Sequence, residues 1–127
     1  MGMVGQKILI VEDDDSLRPA LERLLNTAGW LTTAYSSAEA LLADAAAGDA
    51  ACVVCDLKLP TMSGFDLLAK WRGRAGRPPL ILMTAYDTPG LGEEAARCGA
   101  AAYLSKPFRG TALLEAIDAA ITSARPP

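Results

Sequence analysis

Glu12, Asp13 and Asp56 are carboxylates, Thr84 carries a hydroxyl and Lys106 a primary amine. Each stands at the end of a short apolar run. Residues 7–11 precede Glu12 and Asp13, residues 51–55 precede Asp56, residues 80–84 end on Thr84, and residues 101–105 precede Lys106. Taken singly, these are ordinary features. An acidic run after a strand is commonly a solvated turn or a helix cap, and Asp14 and Asp15 are expected to serve that way. A Thr that ends a strand and a Lys before a Pro are equally plain. Their combination is not. Three carboxylates that converge need a compensating cation. Lys106 supplies one positive charge, and a hard divalent ion supplies the rest. All-oxygen ligation suits Mg²⁺ (or Mn²⁺).

For these residues to meet, the runs must lie side by side. Strand-like runs alternate with helical patterns five times. Strands are expected at 7–11, 30–35, 51–55, 80–84 and 101–105. The first helix starts at about Ser16, with Leu17, Leu21, Leu24, Leu25 and Ala28 at helical spacing. Pro19 falls in its first turn and Gly29 ends it. Ser36 with Glu39 forms a capping-box pattern for a second helix that runs to Gly48. A third helix covers about 64–74. A weaker one covers 89–98, where Gly90 and Gly92 lower the propensity. Thr111 opens the last, with Leu113, Leu114, Ile117, Ala120 and Ile121 facing inward. Five βα units predict an α/β fold with a parallel sheet, helices on both faces and right-handed crossovers. Function in such folds collects at the carboxyl ends of the strands.

The chain of 127 residues fits one domain, with its core at about 6–123. A hydrophobic content of 51% excludes disorder. The apolar runs are too short to span a membrane, and residues 1–7 lack a signal-peptide core, so a cytoplasmic location is expected. The formal net charge of −3 predicts no grip on nucleic acid. Histidine is absent, which removes Ser-His and Cys-His machinery. A phosphohistidine donor would have to be another protein. Cys52 and Cys55 form a C-x-x-C on a strand, where positions three apart point to opposite faces. Core filling is favoured there over zinc or redox chemistry. Residues 125–127 read as a terminus or the start of a linker.

The segment ILIVEDDDSLR at 8–18 resembles the acidic-pocket segment of response-regulator receiver domains. DLKLPTMSG at 56–64 resembles their phosphoacceptor loop. ILMTAY at 81–86 is similar to their fourth strand with its switch threonine, and GAAAYLSKPF at 99–108 to their last strand and lysine motif. The similarity spans essentially the whole chain, and its detail is closest to FixJ-type receivers.

This resemblance implies a (βα)5 flavodoxin-like receiver fold with strand order 2-1-3-4-5. It implies a module of two-component phosphorelay signalling that takes a phosphoryl group onto Asp56 from a histidine kinase or a phosphotransfer protein. It would be no enzyme beyond its own phosphorylation and dephosphorylation. Asp13, Asp56 and the backbone carbonyl of Lys58 would hold Mg²⁺. Glu12, where the family usually shows Asp, would hold the metal's water shell. Thr84 and Lys106 would bind phosphoryl oxygens, Tyr103 would be the switch aromatic, and Lys106-Pro107 would be cis. Lys58 and Tyr86 would tune phosphoryl lifetime. The output would be a changed protein-binding surface, read by a downstream protein or an effector domain outside this sequence, with a phosphorylation-dependent homodimer allowed.

Three other readings stand beside it. A Mg²⁺-dependent phosphohydrolase also uses an Asp nucleophile, but this chain lacks a cap insertion. A flavodoxin-like cofactor module needs a phosphate loop after the first strand, where this chain has acids. A receiver that never takes phosphate would have lost the acceptor, threonine or lysine, and all are present.

Overall fold

The alternation of apolar runs resolves into five parallel strands with helices between them. The structure is a computed structural model that describes residues 6–72 and 77–124. Its elements are β1 (Lys7–Val11), α1 (Leu17–Thr27), β2 (Leu31–Tyr35), α2 (Ala38–Ala43), a 3₁₀ turn (Ala45–Asp49), β3 (Cys52–Asp56), α3 (Gly64–Arg72), β4 (Leu80–Thr84), α4 (Leu91–Arg97), β5 (Ala102–Ser105) and α5 (Gly110–Ala124). The strands lie in the order β2-β1-β3-β4-β5, all parallel. Residues 1–5, residues 125–127 and Arg74, the expected end of α3, lie outside the described residues. No helix among the described residues is long and apolar enough to cross a membrane.

The pleat sorts the strand side chains between two cores. Leu9, Val11, Val53, Cys55, Leu80 and Leu82 point to the face covered by α2, α3 and α4. Ile8, Ile10, Cys52, Val54, Ile81 and Met83 point to the face covered by α1 and α5. β3 and β4 are buried throughout, as sheet-centre strands with helices on both sides must be. Leu25 of α1 and Ile117 of α5 are fully buried, each contributing on the order of 2 kcal/mol. The two thiols of the C-x-x-C therefore sit in opposite cores. Burial pushes Cys52 up to about 12 and raises Cys55 further, so both stay protonated packing groups at neutral pH.

Several boundaries differ from the sequence reading. The second helix does not run to Gly48. It stops at Ala43, and a 3₁₀ turn takes over because Asp44 is extended (φ −87°, ψ 111°). Asp44 accepts the Tyr35 hydroxyl at 2.6 Å and the Ala46 N–H at 3.0 Å, and these local bonds compete with the helix. The α2 cap is Ser37, not Ser36: its hydroxyl accepts the Ala40 N–H at 3.1 Å. α4 is two residues shorter at its start and one at its end, since Gly90 takes a left-handed conformation (φ 86°) just before it. β2, β3 and β5 each begin one residue later than expected, and β3 includes Asp56.

The turn from β3 into α3 is tight. A Cβ on Gly64 would stand 2.8 Å from both the Asp56 carbonyl oxygen and the Leu57 Cα. Gly64 is thus required for the helix to start directly beneath the strand end. Gly64→Ala is expected to lower stability by about 1–3 kcal/mol, read by urea unfolding; an unchanged midpoint would contradict this packing.

Candidate functional site

The carboxyl ends of β1, β3 and β5 deliver the chemistry to one rim. The ladder between β1 and β2 continues one residue past the strand, with Glu12 N–H donating to the Tyr35 carbonyl at 3.0 Å. That fixes the backbone of Glu12 and turns its side chain into the protein. Arg18 of α1 reaches back to the Glu12 carbonyl at 2.9 Å. Glu12 is 1% exposed, and its carboxylate accepts the Lys106 ammonium at 2.9 Å and the Asp14 N–H at 3.2 Å. Lys106 also lies 3.2 Å from Asp56 Oδ1. Its own backbone N–H donates to the Thr84 carbonyl at 2.7 Å, which ties the β5 end to the β4 end. The Lys106-Pro107 peptide is cis.

Glu12, Asp13 and Asp56 each offer a carboxylate oxygen, all within 4.8 Å of one another. This is an all-oxygen donor set, the chemistry a hard divalent cation takes, so the residues fit Mg²⁺. Glu12 and Asp56 are buried, while Asp13 is exposed. Burial raises the pKa of Glu12, with the Asp56 charge adding to it against the Lys106 hydrogen bond. Burial likewise raises Asp56, and Asp13 adds to that against the pull of Lys106. Burial alone would lower Lys106, but its bonds and charges from Glu12 and Asp56 outweigh this and hold its ammonium above the usual range. One ammonium does not compensate the cluster.

An open cleft of about 340 Å³ lies over these groups, walled further by Asp14, Lys58, Ala85 and Tyr86. Asp14 stands just ahead of α1: its Oδ1 accepts the Ser16 and Leu17 N–H groups, and these bonds lower its pKa. Asp15 pairs with Arg18 on the surface at 2.7 Å. The Lys58 ammonium sits 4.8 Å over the ring of Tyr86, which is 64% exposed. These two form a cation–π pair at the mouth of the cleft.

Two residues singled out from the sequence stand apart from the cleft. Thr84 is buried, and its Oγ1 accepts the Tyr86 N–H at 3.0 Å. It lines an adjoining cavity with Leu57, Lys58, Phe65 and Tyr86. Tyr103, half-buried on β5, donates its hydroxyl to Asp87 at 2.7 Å, and its ring lies against Gly92 of α4. Burial and this bond push its pKa up to about 12. Sequence reasoning missed Arg18 as the clamp on Glu12, Asp87 as the partner of Tyr103, and the stacking of Lys58 on Tyr86. No spacing rule signals a contact between residues 58 and 86 or between 87 and 103.

A cation at the cluster is expected to stabilise the fold. At tenfold excess over its Kd, Mg²⁺ contributes about 1.4 kcal/mol, or about 3–6 °C in Tm. Asp13→Asn should abolish most of that gain and raise the metal-free Tm. The pH sense follows from the raised carboxyls. The folded chain holds protons that the unfolded chain has already lost. Their stabilisation is present below the usual carboxylate range and is lost as pH rises through the folded values. The Mg²⁺ gain therefore grows with pH over that window. Calorimetry with and without Mg²⁺ reads all three; an equal response in Asp13→Asn would remove the cluster as the site.

The family model for the response regulator receiver domain matches residues 8–118. The transcriptional regulatory protein FixJ of Azorhizobium caulinodans is 35% identical over 112 residues, covering 88% of this chain and 53% of that protein. The response regulator protein FleR of Pseudomonas aeruginosa is 43% identical over 114 residues, covering 90% of this chain and 24% of that protein. This chain thus spans about half the length of the FixJ relative and about a quarter of FleR. The crystal structure of FixJ-N superposes with a TM-score of 0.84 at 31% identity, covering 98% of this chain and 100% of that one.

Proposed function

The chain belongs to the response regulator receiver domain family of two-component signalling, and from that premise we propose that Asp56 is its phosphoacceptor. The observation that carries this is the Lys106 ammonium held between Glu12 at 2.9 Å and Asp56 at 3.2 Å, beside the three-carboxylate cluster. The phosphohydrolase and cofactor-module readings give way to it, because neither predicts membership of this family.

Asp56 attacks phosphorus through a carboxylate oxygen. A carboxylate carries no proton to remove, so no general base is needed, and a chain without histidine is adequate. The donor is a phosphohistidine of a histidine kinase or phosphotransfer protein; its P–N bond breaks as the Asp56 O–P bond forms. Asp13, Asp56 and the backbone carbonyl of Lys58 would hold Mg²⁺ (or Mn²⁺), with Glu12 holding the metal's water shell. When bound, the ion offsets the repulsion between carboxylates and the incoming phosphoryl group. Lys106 binds a phosphoryl oxygen as a point charge. Thr84 has a hydrogen to donate, because its oxygen only accepts from Tyr86 N–H at present. A bond from the Thr84 hydroxyl to a phosphoryl oxygen forms only with that group in place, so it has the differential affinity a switch needs. Tyr103 reads the change by leaving Asp87.

The domain catalyses only its own phosphorylation and dephosphorylation, in the cytoplasm. Its output is a protein surface at α4, β5 and α5, read by a downstream protein, an effector domain beyond this sequence, or a second copy of the chain.

Incubation with a small acyl-phosphate donor and Mg²⁺ should add one phosphoryl mass to the intact protein. The gain should be absent without Mg²⁺ and in Asp56→Asn; a gain that persists in the variant would place the acceptor elsewhere. Lys58 and Tyr86 set phosphoryl lifetime by restricting water at the cleft mouth. Tyr86→Ala should raise the dephosphorylation rate several-fold, followed by loss of the phosphoryl mass with time. An unchanged rate would exclude Tyr86 as a barrier.

A further inference from the structure

Far from the acidic rim, Arg72 at the end of α3 and Arg77 before β4 meet at one cavity. Residues 70–77 hold Lys70, Arg72, Arg74 and Arg77, four of its 12 basic residues, and no Asp or Glu occurs between Asp66 and Asp87. In a chain of net charge −3 this is a local reversal of sign. A cavity of about 270 Å³ opens here, at the amino end of β4, lined by Arg72, Arg77, Trp71, Leu68 and Pro78 among others. β4 is five residues long, so the cavity stands about 13 Å or more from the Thr84 end.

Both arginines are held in place. Arg72 crosses Gly99, whose Cβ, were there one, would lie 2.5 Å from the Arg72 Nε. Its Nη1 donates to the Cys98 carbonyl at 2.7 Å. The Arg77 guanidinium carbon sits over the ring of Trp71, 4.4 Å from its centroid. The indole is fixed in turn by its own N–H, which donates to the Pro78 carbonyl at 2.8 Å. Yet neither guanidinium has a carboxylate partner among the described residues, and the buried Arg77 Nε meets no acceptor. Two arginines thus line one cavity with no carboxylate beside them among the described residues.

We propose that this cavity docks a Glu or Asp side chain from an acidic segment of a partner protein. A guanidinium stacked on an indole keeps its donors in its own plane, and a planar carboxylate pairs with that edge. The walls of Trp71, Leu68 and Pro78 receive the methylene stem of such a side chain. A long polyanion such as nucleic acid would meet the negative remainder of the protein, whereas a short acidic segment feels chiefly the local pair. The site is separate from Asp56, so occupancy here positions a partner without competing for the phosphoryl group.

The test is NMR of the Trp71 indole N–H and the Arg72 and Arg77 Nε–H groups in the full chain. Acetyl-tetraglutamate amide is titrated at constant ionic strength, with inorganic phosphate and chloride as separate arms. The peptide should shift all three resonances saturably. Arg72→Gln should weaken the apparent Kd by about threefold or more, and Arg72→Lys, which keeps the charge but loses the planar fork, should weaken it as well. Both variants should still gain the phosphoryl mass at Asp56, which separates loss of docking from loss of fold. Peptide shifts no larger than those of chloride would overturn the proposal. So would phosphate binding as tightly as the peptide, or variants that bind it as well as the native chain.

Discussion

Everything at the acidic rim follows from a charge imbalance: Glu12, Asp13 and Asp56 converge, and Lys106 is the one cation paired with them among the described residues. Like charges at this spacing repel, and burial of two of them removes the water that would screen it. The fold tolerates this because the backbone leaves no alternative. Glu12 is anchored by the β1–β2 ladder and by Arg18. Asp56 ends a fully buried strand. Lys106 is pinned by its N–H to Thr84. The response is visible in the raised carboxyls of Glu12 and Asp56 and the raised ammonium of Lys106. A site in this condition gains most from whatever brings positive charge.

Much of this was legible from the sequence because it rests on periodicity. The apolar runs at β3 and β4 are buried on both faces, and that demands a parallel, doubly covered sheet. Once the sheet is parallel, its strand ends share a rim, and Asp13, Asp56 and Lys106 must share it too. The divergence of Cys52 and Cys55 follows from the same two-residue period. What sequence did not carry was local competition for hydrogen bonds. Alanine-rich residues 38–47 read as one helix, but Asp44 bonds Tyr35 and Ala46 and breaks it. Ser36 and Ser37 offer the same hydroxyl, and only backbone conformation decides which caps α2. Arg18, Asp87 and the Lys58–Tyr86 stack depend on side chains meeting across loops, where no period operates.

The end of β4 and the loop after it gather several of these contacts in four residues, 84–87. The Thr84 hydroxyl oxygen holds the Tyr86 N–H. The Tyr86 ring carries the Lys58 ammonium at the cleft mouth. Asp87 holds the Tyr103 hydroxyl, and the Tyr103 ring rests on Gly92 at the start of α4. Gly92 has no side chain, and Gly90 before it is left-handed, so the helix edge facing Tyr103 is bare. Thr84 itself sits in a cavity beside the acid cleft and not in it. For its hydroxyl to face the cleft, the side chain must turn, and the Tyr86 N–H then loses its acceptor. A buried or half-buried N–H left unpaired is costly, so the backbone at Tyr86 has to find a new partner. The tie from Asp87 to Tyr103 begins one residue further on. A small rotation at Thr84 thus acts on a loop that reaches β5 through the Asp87–Tyr103 hydrogen bond and α4 through the Tyr103 ring on Gly92.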